Sequence, residues 1–372
     1  MSAILRSRSI AHPVIRRAGL IVPPLARLAL LSLTMAVAAC LDSPVAPTPS
    51  SIAADEAFNL FPLTLIDLGT VPHGGSASAT AINAPGQVVG NVYVTRKERR
   101  SLHAFLWQGG VMTDLGTLPG TTDSYATGLN DAGQVVGYSY SGNARAAMWQ
   151  NGQITDLGTL PGGISSYASG INDAGVVVGS SVAQGLTHAV RWDHGAIADL
   201  GALPGFDEGY ATAINASGDI VGIVYKFLGP TTSFILRKGT MTELGVFLGD
   251  RVFVPAAISK KGLVVGYGIT DFTGQVHALV WENGVLRTLG PFPCCTQTMA
   301  TGVNGEGEIV GYGITDQAVS HGFRWNGTVM TDLGTLPGGS ESRAYAVNKF
   351  GQIAGYAHLI QPARDAAVLW TH

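Results

Sequence analysis

Charge is scarce in this 372-residue sequence, where Asp, Glu, Lys and Arg make up 13% of the residues against roughly 25% in ordinary soluble domains. That shortage excludes coiled coils, charged disordered tails and long amphipathic helices, which are built from charged residues. Long apolar runs are missing as well. The longest, residues 28–39, is about a dozen residues and too short for a membrane-spanning helix. No nucleophile elbow, His-Glu-x-x-His helix, phosphate loop or dinucleotide fingerprint occurs, so none of the common catalytic signatures points to an enzyme. Cysteine appears three times only.

What is abundant is glycine, 50 residues where average usage gives about 26. Apolar residues reach 46%, enough for a large core. The first 39 residues hold Arg6, Arg8, Arg16, Arg17 and Arg27 without an acid, then the apolar run, then Cys40. A basic stretch, a short apolar core and small residues before a cleavage point read as a secretory signal. Val37, Ala38 and Ala39 before Cys40 resemble a bacterial lipobox, which implies acylation of Cys40 and a lipoprotein at the outer membrane or cell surface. An ordinary signal peptide with an incidental cysteine is the competing reading, and Arg16-Arg17 is a poor match to a twin-arginine signal. Losing five arginines leaves 22 − 5 = 17 basic residues against 25 acidic, a net charge of −8. That sign argues against nucleic acid and anionic lipid as partners and leaves the lipid anchor as the expected membrane contact. Residues 40–60, rich in Pro, Ser and Ala, read as a tether, and residues 61–372 as the folded domain.

From Leu63 a unit recurs seven times. Leu-Gly pairs end at Gly69, Gly116, Gly158, Gly201, Gly245, Gly290 and Gly334. A turn residue follows 14 positions later at Asn83, Asn130, Asn172, Asn215, Ser259, Asn304 and Asn348. A glycine closing a Val-Val-Gly-like strand comes 7 further on, at Gly90, Gly137, Gly179, Gly222, Gly266, Gly311 and Gly355. Both spacings are invariant. A fourth marker is the strand His103-Ala104-Phe105-Leu106-Trp107, whose last position holds Trp107, Trp149, Trp192, Arg237, Trp281, Trp325 and Trp370 in the seven copies. This alignment leaves copy four one residue short. With the His-Ala-Phe strand, the pattern resembles the HAF family of bacterial extracellular repeats over roughly residues 63–372. The resemblance implies an exported location and little about chemistry.

Each copy reads as four short strands joined by Asn-x-x-Gly and Asn-Gly hairpin turns, where Asn and Gly tolerate the positive φ that tight turns need. Four strands in about 44 residues is a propeller blade. The seventh copy stops after its third strand, and the first is preceded by a spare strand at residues 63–68. We therefore expect an all-β, seven-bladed propeller closed by its N-terminal strand, which removes an open sheet edge.

In such a ring the hairpin turns lie on one face and the remaining loops on the other. All length variation falls on the second, loop face, the usual place for binding residues. Beside it stand Ser78, Tyr125, Tyr167, Tyr210, Val254, Met299 and Arg343, with Asp123, Asp207, Glu208, Asp250 and Glu341 nearby. Tyr125, Tyr167, Tyr210, Asp250 and Arg343 are the candidate ligand-binding residues. The competing reading is that each tyrosine packs over its neighbouring blade. His103, His188, His277 and His321 sit on different blades, too far apart to share a metal, and are expected to bond within their blades. No metal or cofactor is expected. Cys294 and Cys295 form a candidate vicinal disulfide in an oxidising compartment, with free thiols or a metal site as the other readings. The run Arg96-Lys97-Glu98-Arg99-Arg100 is expected to be a solvated loop tip.

These readings describe a monomeric, lipid-anchored binding or scaffold module for an envelope or extracellular ligand, a glycan being one class. A propeller hydrolase or lyase with an axial site, and a structural envelope-assembly protein, are the alternatives.

Overall fold

The computed structural model describes residues 63–270 and 274–372; the signal segment, Cys40 and the tether lie outside them. The described residues form 28 strands in seven four-stranded antiparallel sheets, and no helix. Each sheet is one blade, with strands numbered here from the channel outward. Blade two shows the pattern: Asp123–Leu129, Val135–Ser141, Asn143–Gln150 and Gln153–Asp156.

Local chemistry sets these elements. Asn130 carries its carboxamide oxygen back to the Gln134 amide at 2.9 Å, and the Gly133 amide donates to the Asn130 carbonyl at 3.1 Å. Gly133 has φ +77°, a conformation that costs glycine little. The turn then feeds a Val-Val-Gly strand, whose glycine has a steric origin. Every first strand carries a register break just before its last two paired residues, between Ala126 and Gly128 in blade two. This pushes the Tyr125 carbonyl against the second strand, and a Cβ on Gly137 would stand 1.8 Å from that oxygen.

Ring closure is as expected. Blade seven pairs Gly339–Val347, Ile353–Ile360 and Ala363–Thr371 with Thr64–Asp67, in register Thr64 to Thr371 and Asp67 to Val368. The Leu68 amide continues the ladder to the Ala367 carbonyl at 2.9 Å, and Arg364 bonds Asp67.

The core lies between blades. One layer joins Val136 and Ala146 of blade two to Ala168, Val177, Val190 and Trp192 of blade three. Each blade is thus covered on both faces, which is why charge is scarce and alanine and valine are common. Trp192 and Trp370 are among the largest fully buried side chains; truncating such a residue to Ala costs about 3–5 kcal/mol.

One alignment is corrected. In blade four Phe234 lies opposite Gly222, as Phe105 lies opposite Gly90, and Leu236 lies opposite Ile220 where Trp107 lies opposite Val88. The tryptophan position is therefore Leu236, not Arg237, and copy four has lost no residue. Arg237 comes one position later and bonds Asp219 at 3.1 Å and the Gly262 carbonyl at 3.3 Å.

The repeated histidines serve within blades. His103, His188 and His321 reach Asp114, Asp199 and Asp332 on the fourth strand at 2.8–3.0 Å. Arg145–Asp156 and Thr232–Glu243 take the same places in blades two and four.

Candidate functional site at the loop-face mouth

The two ends of the channel differ. At the turn face the asparagine slots form a circlet: Asn83 donates to the Asn130 carbonyl at 3.0 Å, Asn130 to Asn172 at 3.1 Å, Asn172 to Asn215 at 3.2 Å, and Asn215 to Ser259 at 3.1 Å. Asn304 donates to Asn348, and Asn348 to Asn83. Ser259 keeps only the local half of this role, its hydroxyl accepting from the Leu263 amide. The circlet rims an open funnel of about 240 Å³.

The loop-face end is aromatic. Tyr125 stacks on Tyr138 of its own blade at 4.6 Å between ring centroids, and Tyr167 of blade three meets Tyr138 edge-on at 5.1 Å. Tyr210 lies 6.4 Å from Tyr225 and within electrostatic reach of Tyr267 in blade five, which in turn senses Tyr312 in blade six. In blade seven Tyr345 stands between Tyr312 at 6.2 Å and Tyr356 at 6.3 Å. The belt draws tyrosines from blades two to seven, contiguous across blades two and three and across blades four to seven. Blade one supplies Ser78 and Asn91 instead, and the Asn91 carboxamide accepts from the Ala126 amide at 2.9 Å.

Arg343 is held inside this belt. Its guanidinium carbon lies 4.8 Å from the Tyr312 ring and 5.4 Å from the Tyr356 ring. Its Nε donates to the Ser320 hydroxyl at 3.0 Å, and that hydroxyl and the Tyr356 hydroxyl both donate to Glu341. Burial opposes the charge on Arg343, but the neighbouring phenols Tyr345, Tyr356 and Tyr312 outweigh it, and the net direction is up. Burial, followed by the Tyr267 and Tyr225 neighbours, pushes the Tyr210 phenol well up. Burial likewise raises Tyr345, and raises Tyr356 to about 12 against the pull of Arg343. These phenols are therefore hydrogen-bond donors at neutral pH.

Of the sequence candidates, Tyr125, Tyr167, Tyr210 and Arg343 share the belt, the first two through Tyr138. Asp250 does not stand on it: it is 6% exposed and its Oδ2 is 3.1 Å from Nε2 of His277. Two of the remaining acids near the mouth act between blades. Asp123 accepts from the Leu102 amide at 2.9 Å and Glu208 from the Thr187 amide at 3.0 Å, each reaching the third strand of the preceding blade. Sequence reasoning missed Tyr138, Tyr267, Tyr312 and Tyr356. Each directly follows a repeat glycine, at Gly137, Gly266, Gly311 and Gly355, and that recurrence was the available signal. Cys294 and Cys295 place their sulfurs 2.50 Å apart on the loop entering blade six. Among the described residues no group of three or more His, Cys, Asp or Glu is arranged to hold a metal ion.

No protein-family model and no curated protein sequence matches the chain. The fold is similar to that of a puromycin-hydrolysing peptidase from Mycobacterium tuberculosis, at TM-score 0.52 and 13% identity over 78% of this chain and 53% of that one. It is also similar to a prolyl endopeptidase, at TM-score 0.50 and 12% identity over 80% and 50%. The chain spans about half the length of these two proteins. The propeller domain of the Trilobed protease from Pyrococcus furiosus matches at TM-score 0.53 and 8% identity over 81% and 94%, and is described as having an open velcro topology. Here the last blade is instead closed by the N-terminal strand. Identities this low show a shared propeller fold and nothing of activity.

Proposed function

We propose that this chain is an exported, lipid-anchored binding module of the HAF-repeat kind, acylated at Cys40, whose loop-face tyrosine belt holds a polar ligand, with a glycan as the class it fits best. The observation behind this reading is the convergence of tyrosines from six blades on one end of a rigid channel, beside a fixed guanidinium. Flat aromatic faces take up sugar rings by stacking at little entropic cost, and protonated phenols donate hydrogen bonds to hydroxyl oxygens. Variable loops around the belt supply selectivity on an invariant scaffold. The test is a screen of the whole exported protein against a broad glycan array. Retention of a defined glycan class supports the reading, and no retention turns the assignment toward a structural envelope protein.

A second reading, a hydrolase or lyase, draws on one feature. His277 is oriented by the buried Asp250, and its side chain is 27% exposed, the arrangement of a general base and its orienting group. Under that reading His277→Asn abolishes turnover without changing ligand retention.

A further inference from the structure

Blade four breaks the repeat in both of its loops on the loop face, and in the same direction. The loop before the next blade reads Thr117-Leu118-Pro119-Gly120 after blade one, and Thr159-Leu160-Pro161-Gly162 and Thr335-Leu336-Pro337-Gly338 elsewhere. After blade four it reads Val246-Phe247-Leu248-Gly249. Its other loop, between Ile220–Tyr225 and Thr231–Arg237, has Phe227-Leu228 at its tip, where blades one, three and six carry Lys97-Glu98, Gln184-Gly185 and Asp316-Gln317. Phe227 is 76%, Leu228 94% and Leu248 95% exposed. Leu228 also has φ +57°, a region that favours Gly or Asn. An apolar residue left in solvent and in a strained conformation points to a role outside the fold.

These tips are convex, which suits a fluid apolar phase better than a preformed pocket. Each is flanked by an exposed cation, Lys226 beside Phe227 and Arg251 beyond Leu248. Asp250, the acid between them, is buried against His277; the exposed Asp207 belongs to the preceding loop. We infer that the two blade-four loops insert into the interface of a lipid bilayer, Phe227, Leu228 and Leu248 entering the acyl boundary while Lys226 and Arg251 meet headgroup phosphates. Insertion of this kind is driven by apolar burial and needs no anionic lipid, so it is compatible with the chain's overall negative charge. Tether length allows it: the 20 residues 41–60 span up to roughly 70 Å extended, more than twice the ~30 Å depth that nine-residue strands give the ring.

The experiment reconstitutes the full chain with phosphatidylcholine vesicles, plain or brominated in the acyl chains, after Leu248→Trp, Phe227→Trp or, on the turn face, Val285→Trp. Bromolipid is expected to quench the tryptophans added at 248 and 227 several-fold more than the one at 285. Adding Leu228→Asn and Val246→Thr to Phe227→Trp relieves the strained position and restores a repeat residue. The melting temperature should then be held or raised while the quenching is lost. Absence of quenching at 248 and 227, or equal quenching at all three positions, overturns the proposal. So does a sedimentation result in which the tips are covered by a second copy in a dimer that Leu248→Pro dissolves.

Discussion

The side-chain amide of Asn348 donates to the carbonyl oxygen of Asn83 at 2.9 Å, joining the last repeat to the first across 265 positions of sequence. With it, the six repeat asparagines each close their own turn and clasp the next blade, Ser259 being the one slot that does not. The ring is therefore closed twice, by the N-terminal strand at its rim and by this circlet around its channel.

The circlet yields a paired prediction. Asn172 is buried, so Asn172→Ala takes the acceptor from the Val176 amide and leaves the Asn215 carbonyl with the Gly218 amide as its remaining donor; it should destabilise the ring by about 1–3 kcal/mol. Ser259→Asn supplies the missing clasp to Asn304 and should stabilise it by about 1 kcal/mol. Thermal or denaturant unfolding of both variants measures this; equal effects would show that the asparagines act as turn formers only.

Closure at the rim is tested by deleting residues 61–69. The deletion exposes the third strand of blade seven as an open edge and removes the buried Leu68. We expect a loss of at least about 3 kcal/mol together with aggregation, whereas an equal deletion within the tether should leave the melting temperature unchanged.

Much of this architecture was legible in the sequence because turn chemistry and strand period are local. The 14- and 7-residue spacings placed the first two strands of every blade, and the spare strand at one end announced closure. Less visible was whatever depends on contacts between blades. The asparagines read as turn residues because their second partner lies 42–47 positions away, or 265 for Asn348. Asp123 and Glu208 read as ligand-side acids, yet they serve the neighbouring blade's backbone. Arg237 was set in the tryptophan position although Phe234, aligned with Phe105, marks the register directly. Tyr125, Tyr167 and Tyr210 of the first strands were found, whereas Tyr345, two positions beyond that slot in blade seven, and the tyrosines of the second strands were not, since only pairing puts Tyr138 opposite Tyr125.

The loop entering blade six carries the redox prediction. If Cys294 and Cys295 are joined in the native protein, alkylation before reduction leaves both unmodified and alkylation after reduction labels both, as read by intact mass. Labelling of both without reductant contradicts the pairing.

The phenols give a pH dependence of known sign. Tyr210 and Tyr345 titrate higher in the folded chain than the ordinary value of 10.0, so the folded state holds their protons more tightly. Their contribution to stability is fully present below pH 10 and is lost as pH rises through the raised values. Unfolding free energy should be level from pH 7 to 9 and fall above 10, with phenolate absorbance at 295 nm appearing late and together with unfolding. Ionisation of all tyrosines near pH 10 without unfolding would contradict the half-buried placing of these phenols.

The account's central claim, that the tyrosine belt is a binding surface, is tested most directly by Tyr167→Ala/Tyr210→Ala. The decisive measurement is calorimetric titration of this double variant and the parent with the glycan class the parent retains, alongside their melting temperatures. The claim predicts a melting temperature within a few degrees of the parent and at least a hundredfold loss of affinity, about 2.7 kcal/mol. Unchanged affinity, or a collapse of the melting temperature, would contradict it and assign these tyrosines to packing between blades.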